Sequence, residues 1–370
     1  MNSQLPEIRV IISGGGTGGH IFPALSIANA LKAMNSNNKI LFVGAEGKME
    51  MEKVPAAGYE IVGLNITGIQ RSASFSNIKV PFRIIASLWK ARSVVRSFKP
   101  DVVVGVGGYA SGPVLFAASL MNIPTLIQEQ NSYAGVTNRI LAKRAKSICV
   151  AYDKMEKYFP ADRIILTGNP VRQDIASGII NKEDALSHFG LMPGLKTILV
   201  IGGSLGARTI NESLKSGWSK LIENGTQVLW QTGKAYYAEA KKFEQESNGL
   251  VKVFDFISRM DLAYEAADLV VSRAGASSLS ELSLVAKPVI LVPSPNVAED
   301  HQTKNAMALV EKDAAVMVKD VDARGSLIQS IVQLLDNKSE CEKLKVGIAK
   351  LAKRDADKTI AQEVYRVSLK

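Results

Sequence analysis

Only two cysteines, Cys149 and Cys341, and three histidines, His20, His188 and His301, occur in this 370-residue chain. The cysteines stand far apart and outside any CxxC or mixed Cys/His spacing. Neither a disulfide framework nor a zinc site is expected, and a reducing cytoplasm fits best. Long hydrophobic runs are missing as well. The longest apolar stretches, such as Val114 to Met121, fall far short of the roughly 20 residues that a spanning helix needs. No basic segment followed by an apolar run opens the chain, so no signal peptide is expected. Low-complexity tracts are absent, and 46% apolar with 22% charged residues is an ordinary composition for a folded protein.

Acid is scarce in one region. Residues 1–169 hold 19 Lys and Arg against 10 Asp and Glu, which is nearly all of the formal net charge of +10. Between Glu60 and Asp101 there is no acid, while Arg71, Lys79, Arg83, Lys90, Arg92, Arg96 and Lys99 all fall there. Such a patch attracts a polyanion, either a nucleic acid or an anionic lipid surface. No RNP, zinc-finger or helix-turn-helix signature accompanies it, so nucleic acid is not the expected partner. Ile78, Phe82, Ile85 and Trp89 recur at helical spacing beside Lys79, Arg83 and Lys90. A second stripe, Ile84, Leu88, Ala91 and Val95, can face a core and leaves the first one spare. An apolar ridge edged by cations is the pattern of an interfacial helix, so this region is expected to seat the protein on an anionic membrane surface.

Through most of the chain short apolar strands alternate with amphipathic helices, which predicts parallel sheets with right-handed crossovers. Ile8–Ser13, Lys39–Val43, Asp101–Val106, Thr125–Gln128 and Ser147–Ala151 form a first set of expected strands. Thr197–Ile201, Gln227–Gln231, Val251–Phe254, Leu269–Ser272 and Val289–Val292 form a second. Two sets imply two doubly wound α/β domains with a cleft between them, and Gly168-Asn169-Pro170 is the expected linker. A charged helical segment, about Glu340 to Lys370, ends the chain, and its pattern does not say which domain it packs on.

Three strand ends carry glycine clusters, at Gly14–His20, Gly107–Gly112 and Gly202–Ala207, each before an expected helix. There the backbone can approach an anion closely, and the helix directs free N–H groups and a positive dipole end at it. A fourth cluster, Arg273 to Glu281, follows the strand Leu269–Ser272. Its small residues and hydroxyls suit a phosphate, and Glu281 can accept from ribose hydroxyls. Gly14, Gly16 and Gly19 also satisfy the dinucleotide fingerprint GxGxxG, with Glu46 as the ribose acid. An NAD-dependent dehydrogenase is therefore the rival reading, although an NAD site needs neither His20 in the first helical turn nor a second glycine loop. A non-catalytic, nucleotide-sensing adaptor on the membrane is another.

The ordered set of clusters resembles the MurG family of peptidoglycan N-acetylglucosaminyltransferases across nearly the whole chain. The matching stretches are the first loop through His20 with Phe22-Pro23, Gly107-Gly108-Tyr109-Ala110-Ser111-Gly112-Pro113, Glu129-Gln130-Asn131 and Gly168-Asn169-Pro170-Val171-Arg172. They continue with Gly202–Ala207, Arg273-Ala274-Gly275-Ala276 and Asp300-His301-Gln302 before Asn305-Ala306. Residues 177–196 match nothing usable. The resemblance implies a GT-B fold with an acceptor domain at 1–168, joined by the C-terminal helix at about 352–370, and a UDP-sugar domain at 169–351.

The reaction it implies is inverting transfer of N-acetylglucosamine from UDP-N-acetylglucosamine to the C4 hydroxyl of undecaprenyl-pyrophosphoryl-N-acetylmuramyl-pentapeptide. The place implied is the cytoplasmic side of the bacterial inner membrane. By matching position, Thr17, Gly18, Gly19 and Asn131 would meet the donor and Arg172 and Ser204 its diphosphate. Ile257 would read uracil through its backbone. Ala276, Ser277, Ser278, Leu279, Ser280 and Glu281 would hold phosphate and ribose, and Gln302 the sugar hydroxyls. Gly15, Gly16, Gly108, Tyr109 and Ser111 are the expected acceptor-pyrophosphate contacts. His301 stands where family members vary. Relatives on this fold that use other acceptors or epimerise the sugar nucleotide remain open.

Single displacement needs a base near the acceptor hydroxyl and stabilisation of the leaving UDP. His20 is the expected base, because imidazole titrates near neutrality. Glu129 is the alternative, unless it holds the loops together instead. Helix N-terminal N–H groups and Arg172 can stabilise the leaving group, so no metal or other cofactor is expected.

Overall fold

The computed structural model describes residues 5–66, 80–171, 175, 180–203 and 205–369. Contacts divide the chain into two compact units, Met1–Val171 with Asp355–Lys370, and Arg172–Arg354.

The first unit is built on a parallel sheet of seven strands: β1 (Arg9–Ser13), β2 (Lys39–Ala45), β3 (Glu60–Leu64), β4 (Val102–Gly105), β5 (Thr125–Glu129), β6 (Ser147–Val150) and β7 (Ile164–Leu166). Their order across the sheet is β3-β2-β1-β4-β5-β6-β7. The central strands are buried on both faces and therefore read as nearly unbroken apolar runs. Alternation still decides which face each residue joins. Ile11 packs with Ala91 and Val95 of α3 (Val80–Phe98) and with Val114, Leu115 and Ala118 of α4 (Ser111–Leu120). Its neighbours Val10 and Ile12 pack on the other side, with Ile27 and Leu31 of α1 (Gly18–Met34). That second core also takes in Ile360, Val364 and Tyr365 from the last helix, Ala356–Ser368. The Tyr365 hydroxyl sits within 3.0 Å of the buried Asn38 amide, tying the chain end to the turn before β2. Two short helices complete what the site needs, α2 (Glu50–Ala56) after β2 and α5 (Val136–Leu141) after β5.

In the second unit six parallel strands take the order β10-β9-β8-β11-β12-β13. They are β8 (Lys196–Ile201), β9 (Thr226–Gln231), β10 (Val251–Phe254), β11 (Leu269–Ser272), β12 (Val289–Leu291) and β13 (Val316–Met317). Helix α6 (Lys182–His188) leads in, and α7 (Arg208–Glu223), α8 (Lys234–Glu246), α9 (Met260–Ala266), α10 (Ala276–Val285) and α11 (His301–Val310) follow successive strands. Helices α12 (Asp320–Asp336) and α13 (Lys338–Ala349) come next, and the last helix, Ala356–Ser368, is α14. Trp230, next to last in β9, is fully buried and donates its indole N–H to Asn211 Oδ1 at 3.1 Å, so its polar edge is satisfied inside the core.

Each sheet runs outward from its first strand in both directions. The order reverses between β1 and β4 in one unit and between β8 and β11 in the other. Open parallel sheets bind ligands just past the strand ends at such a switch point. All four glycine or small-residue clusters follow one of these four strands.

Candidate functional site

Helices α1, α4, α7 and α10 begin at those strand ends. None has a side-chain N-cap, and none carries an acid in its first turn. By contrast α6 and α13 are closed by Asn181 and Asn337, whose side chains accept from backbone N–H groups. A helix start without a capping side chain keeps orphan N–H donors and the positive end of its dipole for an anion.

In the first unit, the β1 and β4 loops lie against each other. A Cβ on Gly108 would fall 2.4 Å from the Gly15 carbonyl oxygen, so this contact requires glycine, and the φ of +84° at Gly108 does too. His20, in the first turn of α1, rests on the same turn, where a Cβ on Gly107 would fall 2.9 Å from its Nε2. On the other side of the ring, Nδ1 lies 3.0 Å from the Gly15 carbonyl oxygen and 3.4 Å from Thr17 Oγ1. A carbonyl only accepts, so Nδ1 carries the proton and neutral His20 keeps its lone pair on Nε2. Thr17, Gly18 and Gly19 form the start of α1, with Thr17 and Gly19 exposed.

Two expected contacts are corrected by this geometry. The Gly16 N–H is already taken, donating to Glu50 Oε2 at 2.9 Å, and a phosphate at that amide would face a carboxylate. Ser111 is fully buried and donates its hydroxyl to the Gly108 carbonyl at 2.8 Å, so its side chain shapes the turn and does not face a ligand. Tyr109 is exposed beside it. Glu50 went unnoticed in the sequence. An acid 34 residues from its loop partner leaves no local spacing signal, and only the pairing of β2 beside β1 joins them.

Glu129, at the end of β5, is 2% exposed. Its Oε1 accepts from the N–H and Nδ2 of Asn131, at 3.1 and 3.2 Å. Oε2 accepts from the Gly135 N–H at 3.1 Å and from Asn138 Nδ2 at 2.8 Å. Four donors on one buried carboxylate make a brace for the turn from β5 to α5. They also spend the lone pairs that a general base would use.

In the second unit, Gln231 joins two loops. Its Nε2 donates to the Gly203 carbonyl at 3.0 Å, and its Oε1 accepts from the Ile257 N–H at 2.8 Å. Ile257 therefore has only its carbonyl left for a base. Ala276, Ser277, Ser278, Leu279, Ser280 and Glu281 open α10, with Ala276 and Leu279 buried and the others half-buried. The Ser277 hydroxyl is buried and without a hydrogen-bond partner, whereas Ser280 donates to the Ala276 carbonyl at 3.1 Å. Glu281 accepts from the Tyr264 hydroxyl at 3.0 Å. Gln302, in the first turn of α11, accepts from the Ser294 N–H at 2.9 Å, and Asn305 on the same helix reaches the Ala274 carbonyl. The start of α11 is thus tied to the loops after β11 and β12. Arg273 is not a ligand group here, because its guanidinium is held by Asp320 and by the carbonyls of Val292 and Pro293. Arg172 and Ser204 lie outside the described residues.

No group of three or more His, Cys, Asp or Glu side chains suited to a metal occurs among the described residues. Of the two Asp-x-Asp triplets, Asp320–Asp322 is engaged through Asp320 with Arg273 and Thr209. Asp355–Asp357 is engaged through Asp355 with Lys358.

On α3, Ile85 and Trp89 are 53% and 72% exposed, while Ala91 and Val95 are buried. With Leu88 and Arg92 they form a groove of about 150 Å³ against Phe116, Ala117 and Leu120 of α4. The Arg144 guanidinium stacks 5.5 Å above Phe116. Lys90 pairs with Glu46 at 2.9 Å. Ile78 and Lys79 and the side chains of Phe82 and Arg83 lie outside the described residues. No described helix is long and apolar enough to cross a membrane.

The chain matches the glycosyltransferase family 28 N-terminal domain over residues 10–150 and the corresponding C-terminal domain over 197–360. A UDP-N-acetylglucosamine–N-acetylmuramyl-(pentapeptide) pyrophosphoryl-undecaprenol N-acetylglucosamine transferase of Parabacteroides distasonis is 58% identical over 362 residues, 98% of each chain. The equivalent protein of Bacteroides thetaiotaomicron is 55% identical over 365 residues, again 98% of each. The chain belongs to the MurG family. The crystal structure of Acinetobacter baumannii MurG superposes with a TM-score of 0.81 at 28% identity, covering 98% of this chain and 100% of that one. The protein is therefore a glycosyltransferase with a GT-B pair of Rossmann-like units. The dehydrogenase alternative falls with this kinship, and Glu46, its ribose acid, is committed to Lys90.

Proposed function

We infer that the protein transfers N-acetylglucosamine from UDP-N-acetylglucosamine to the C4 hydroxyl of the muramyl sugar on undecaprenyl-pyrophosphoryl-N-acetylmuramyl-pentapeptide. The observation that carries this reading is the pair of switch points, each ringed by acid-free helix starts without capping side chains, in a chain whose near-full-length relatives bear that activity in their names. Two anionic ligands, one per unit, suit two such sites. The second unit takes the donor. Its diphosphate meets the N–H groups that open α7 and α10, beside the unpartnered Ser277 hydroxyl. Arg172 and Ser204 complete that set by family position. Glu281 and Gln302 serve the ribose and the sugar through oxygens that now accept from Tyr264 and Ser294. The first unit takes the acceptor at Gly108 and Tyr109, and by family position its Thr17–Gly19 and Asn131 also meet the donor.

In this reading His20 accepts the proton of the attacking hydroxyl on Nε2, the nitrogen that carries no proton when Nδ1–H donates to Gly15. One in-line displacement at the anomeric carbon then breaks its bond to the diphosphate oxygen and inverts its configuration. Helix N–H groups stabilise the negative charge that develops on UDP, so the protein itself supplies the electrostatics of departure. Glu129 we assign to holding the β5–α5 turn. The groove edged by Ile85, Trp89 and Leu120 seats the protein on the anionic cytoplasmic leaflet, where a polyprenyl-linked acceptor lies. Radiolabelled UDP-N-acetylglucosamine with a short-chain lipid-linked muramyl peptide tests the reading. The parent should release UDP only when the acceptor is added, and His20→Ala should lower kcat by about 10²–10⁴. UDP release without acceptor dependence, or full activity in His20→Ala, would overturn it.

A further inference from the structure

We propose that Glu50 is a positioning residue that sets which nitrogen of His20 carries the proton, acting through the Gly15–Gly16 peptide. The proposal deepens the transferase reading and rests on it for its catalytic consequence, although its spectroscopic test does not.

Glu50 is 1% exposed, and no cation among the described residues pairs with it. Its Oε1 accepts from the Ala45 N–H at the end of β2 and its Oε2 from the Gly16 N–H, both at 2.9 Å. The first bond anchors the carboxylate to the sheet and the second delivers that anchor to the loop. Gly15 makes room for it, since a Cβ there would fall 2.1 Å from Oε1. An ionised carboxylate only accepts, so it holds the Gly16 N–H in one direction.

The Gly16 N–H and the Gly15 C=O belong to one trans peptide plane and point to opposite sides of it. Holding the N–H on Glu50 therefore aims the carbonyl the other way, where it stands 3.0 Å from His20 Nδ1. The ring answers with Nδ1–H, which leaves Nε2, beside Gly107, as the unprotonated nitrogen. Were the peptide to flip, it would offer an N–H to Nδ1 in place of a carbonyl. Nδ1 would then accept, the proton would move to Nε2, and the base would be lost without His20 changing place. Glycine at both positions keeps that flip sterically open, so something must choose between the two orientations. Glu50 chooses.

Histidine labelled with 15N in the full-length protein reports the tautomer directly, with the His20 signals identified by their loss in His20→Gln. In the parent above the ring's titration, Nδ1 should be the protonated nitrogen. Glu50→Gln offers one acceptor and an NH2 group to two N–H donors, so the preference for Nδ1–H should disappear. In the same variant kcat should fall by roughly 10-fold to 100-fold, part of what a general base contributes. KM for UDP-N-acetylglucosamine should stay within about twofold, because Glu50 is buried behind the loop and bonds only the Ala45 and Gly16 N–H groups. Should Glu50→Gln fail to fold, Gly15→Ala displaces the same carboxylate from the other side and makes the same test. A parent with its proton on Nε2, or a folded variant that keeps both the Nδ1–H tautomer and parental kcat, overturns the proposal. Full activity in His20→Ala would instead sink the assignment of the base, leaving the tautomer result standing.

Discussion

Glu129→Gln separates a brace from a base. The parent carboxylate holds the Asn131 N–H and Nδ2, the Gly135 N–H and Asn138 Nδ2 at 2.8–3.2 Å. Asn131 is only half-buried, so water can replace what it loses. Asn138 is buried and its Oδ1 lacks a partner, which lets it turn its amide over and accept from the new glutamine NH2. The Gly135 N–H has no such remedy and would face a donor. One lost bond to a charged acceptor costs about 1.5–3 kcal/mol. Glu129→Ala also abandons Asn138 and should cost about 3–6 kcal/mol on the same scale. At about 2–4 °C per kcal/mol for a unit of this size, the glutamine variant should melt about 3–12 °C lower, and the alanine variant lower still. Calorimetry gives the melting temperatures. Transferase kinetics well below the transition give kcat, which should remain within about tenfold of the parent for Glu129→Gln, against the 10²–10⁴ that loss of a general base costs. A glutamine variant that melts with the parent and loses more than about 100-fold in kcat would make Glu129 the base and refute the reasoning.

Replacing Ile85 and Trp89 together with Ser should weaken binding to phosphatidylglycerol-containing vesicles by more than about tenfold, since each buries roughly 1.5–3 kcal/mol of apolar surface. Sedimentation with vesicles reads this, and unchanged binding would place the membrane contact elsewhere. Gly108→Ala drives a Cβ to 2.4 Å from the Gly15 carbonyl at a φ that disfavours side chains, so both stability and kcat should fall. A variant that loses neither would mean the two loops are not in contact in solution. Asp261 is bonded by the Arg259 guanidinium, which holds its carboxyl below the usual carboxylate range. A depressed folded pKa contributes stability above the unfolded value and loses it as pH falls through the folded one. The stability gap between parent and Asp261→Asn should therefore be full at neutral pH and close in acid, as denaturant melts at several pH values would show.

What the sequence disclosed was governed by burial. Central strands such as β1, β4, β8 and β11 are apolar on both faces, and their runs stand out against polar loops. Strands β3, β7 and β13 lie at the sheet edges and are only partly buried, so Glu60–Leu64, Ile164–Leu166 and Val316–Met317 carry no comparable run. The site divides along another line. That His20, Thr17–Gly19 and Ser277–Glu281 stand at helix starts just past a strand was legible because glycine, hydroxyl and imidazole groups follow an apolar run in the sequence itself. The use of each amide was not. That the Gly16 N–H belongs to Glu50 and the Ile257 N–H to Gln231 depends on elements brought together by folding.

The two switch points also differ in a way that bears on which ligand each unit takes. In the first unit, the loop after β1 leans across the reversal onto the loop after β4, glycine against glycine, with His20 laid over the junction. In the second, the loop after β8 leans the other way. A Cβ on Gly206 would fall 2.0 Å from the Thr232 carbonyl, and one on Gly233 would fall 2.3 Å from that of Leu205, both contacts with the loop after β9. Because β9 and β11 flank β8 on opposite sides, that lean carries the loop away from the β8–β11 crevice. A nucleotide diphosphate needs such a crevice, with helix starts on both sides. An acceptor hydroxyl needs only a surface with a base at its edge. Under the proposed function, the crevice left open beside β8 suits the nucleotide and the closed junction under His20 suits the base, because a few glycines let the loops close in opposite directions.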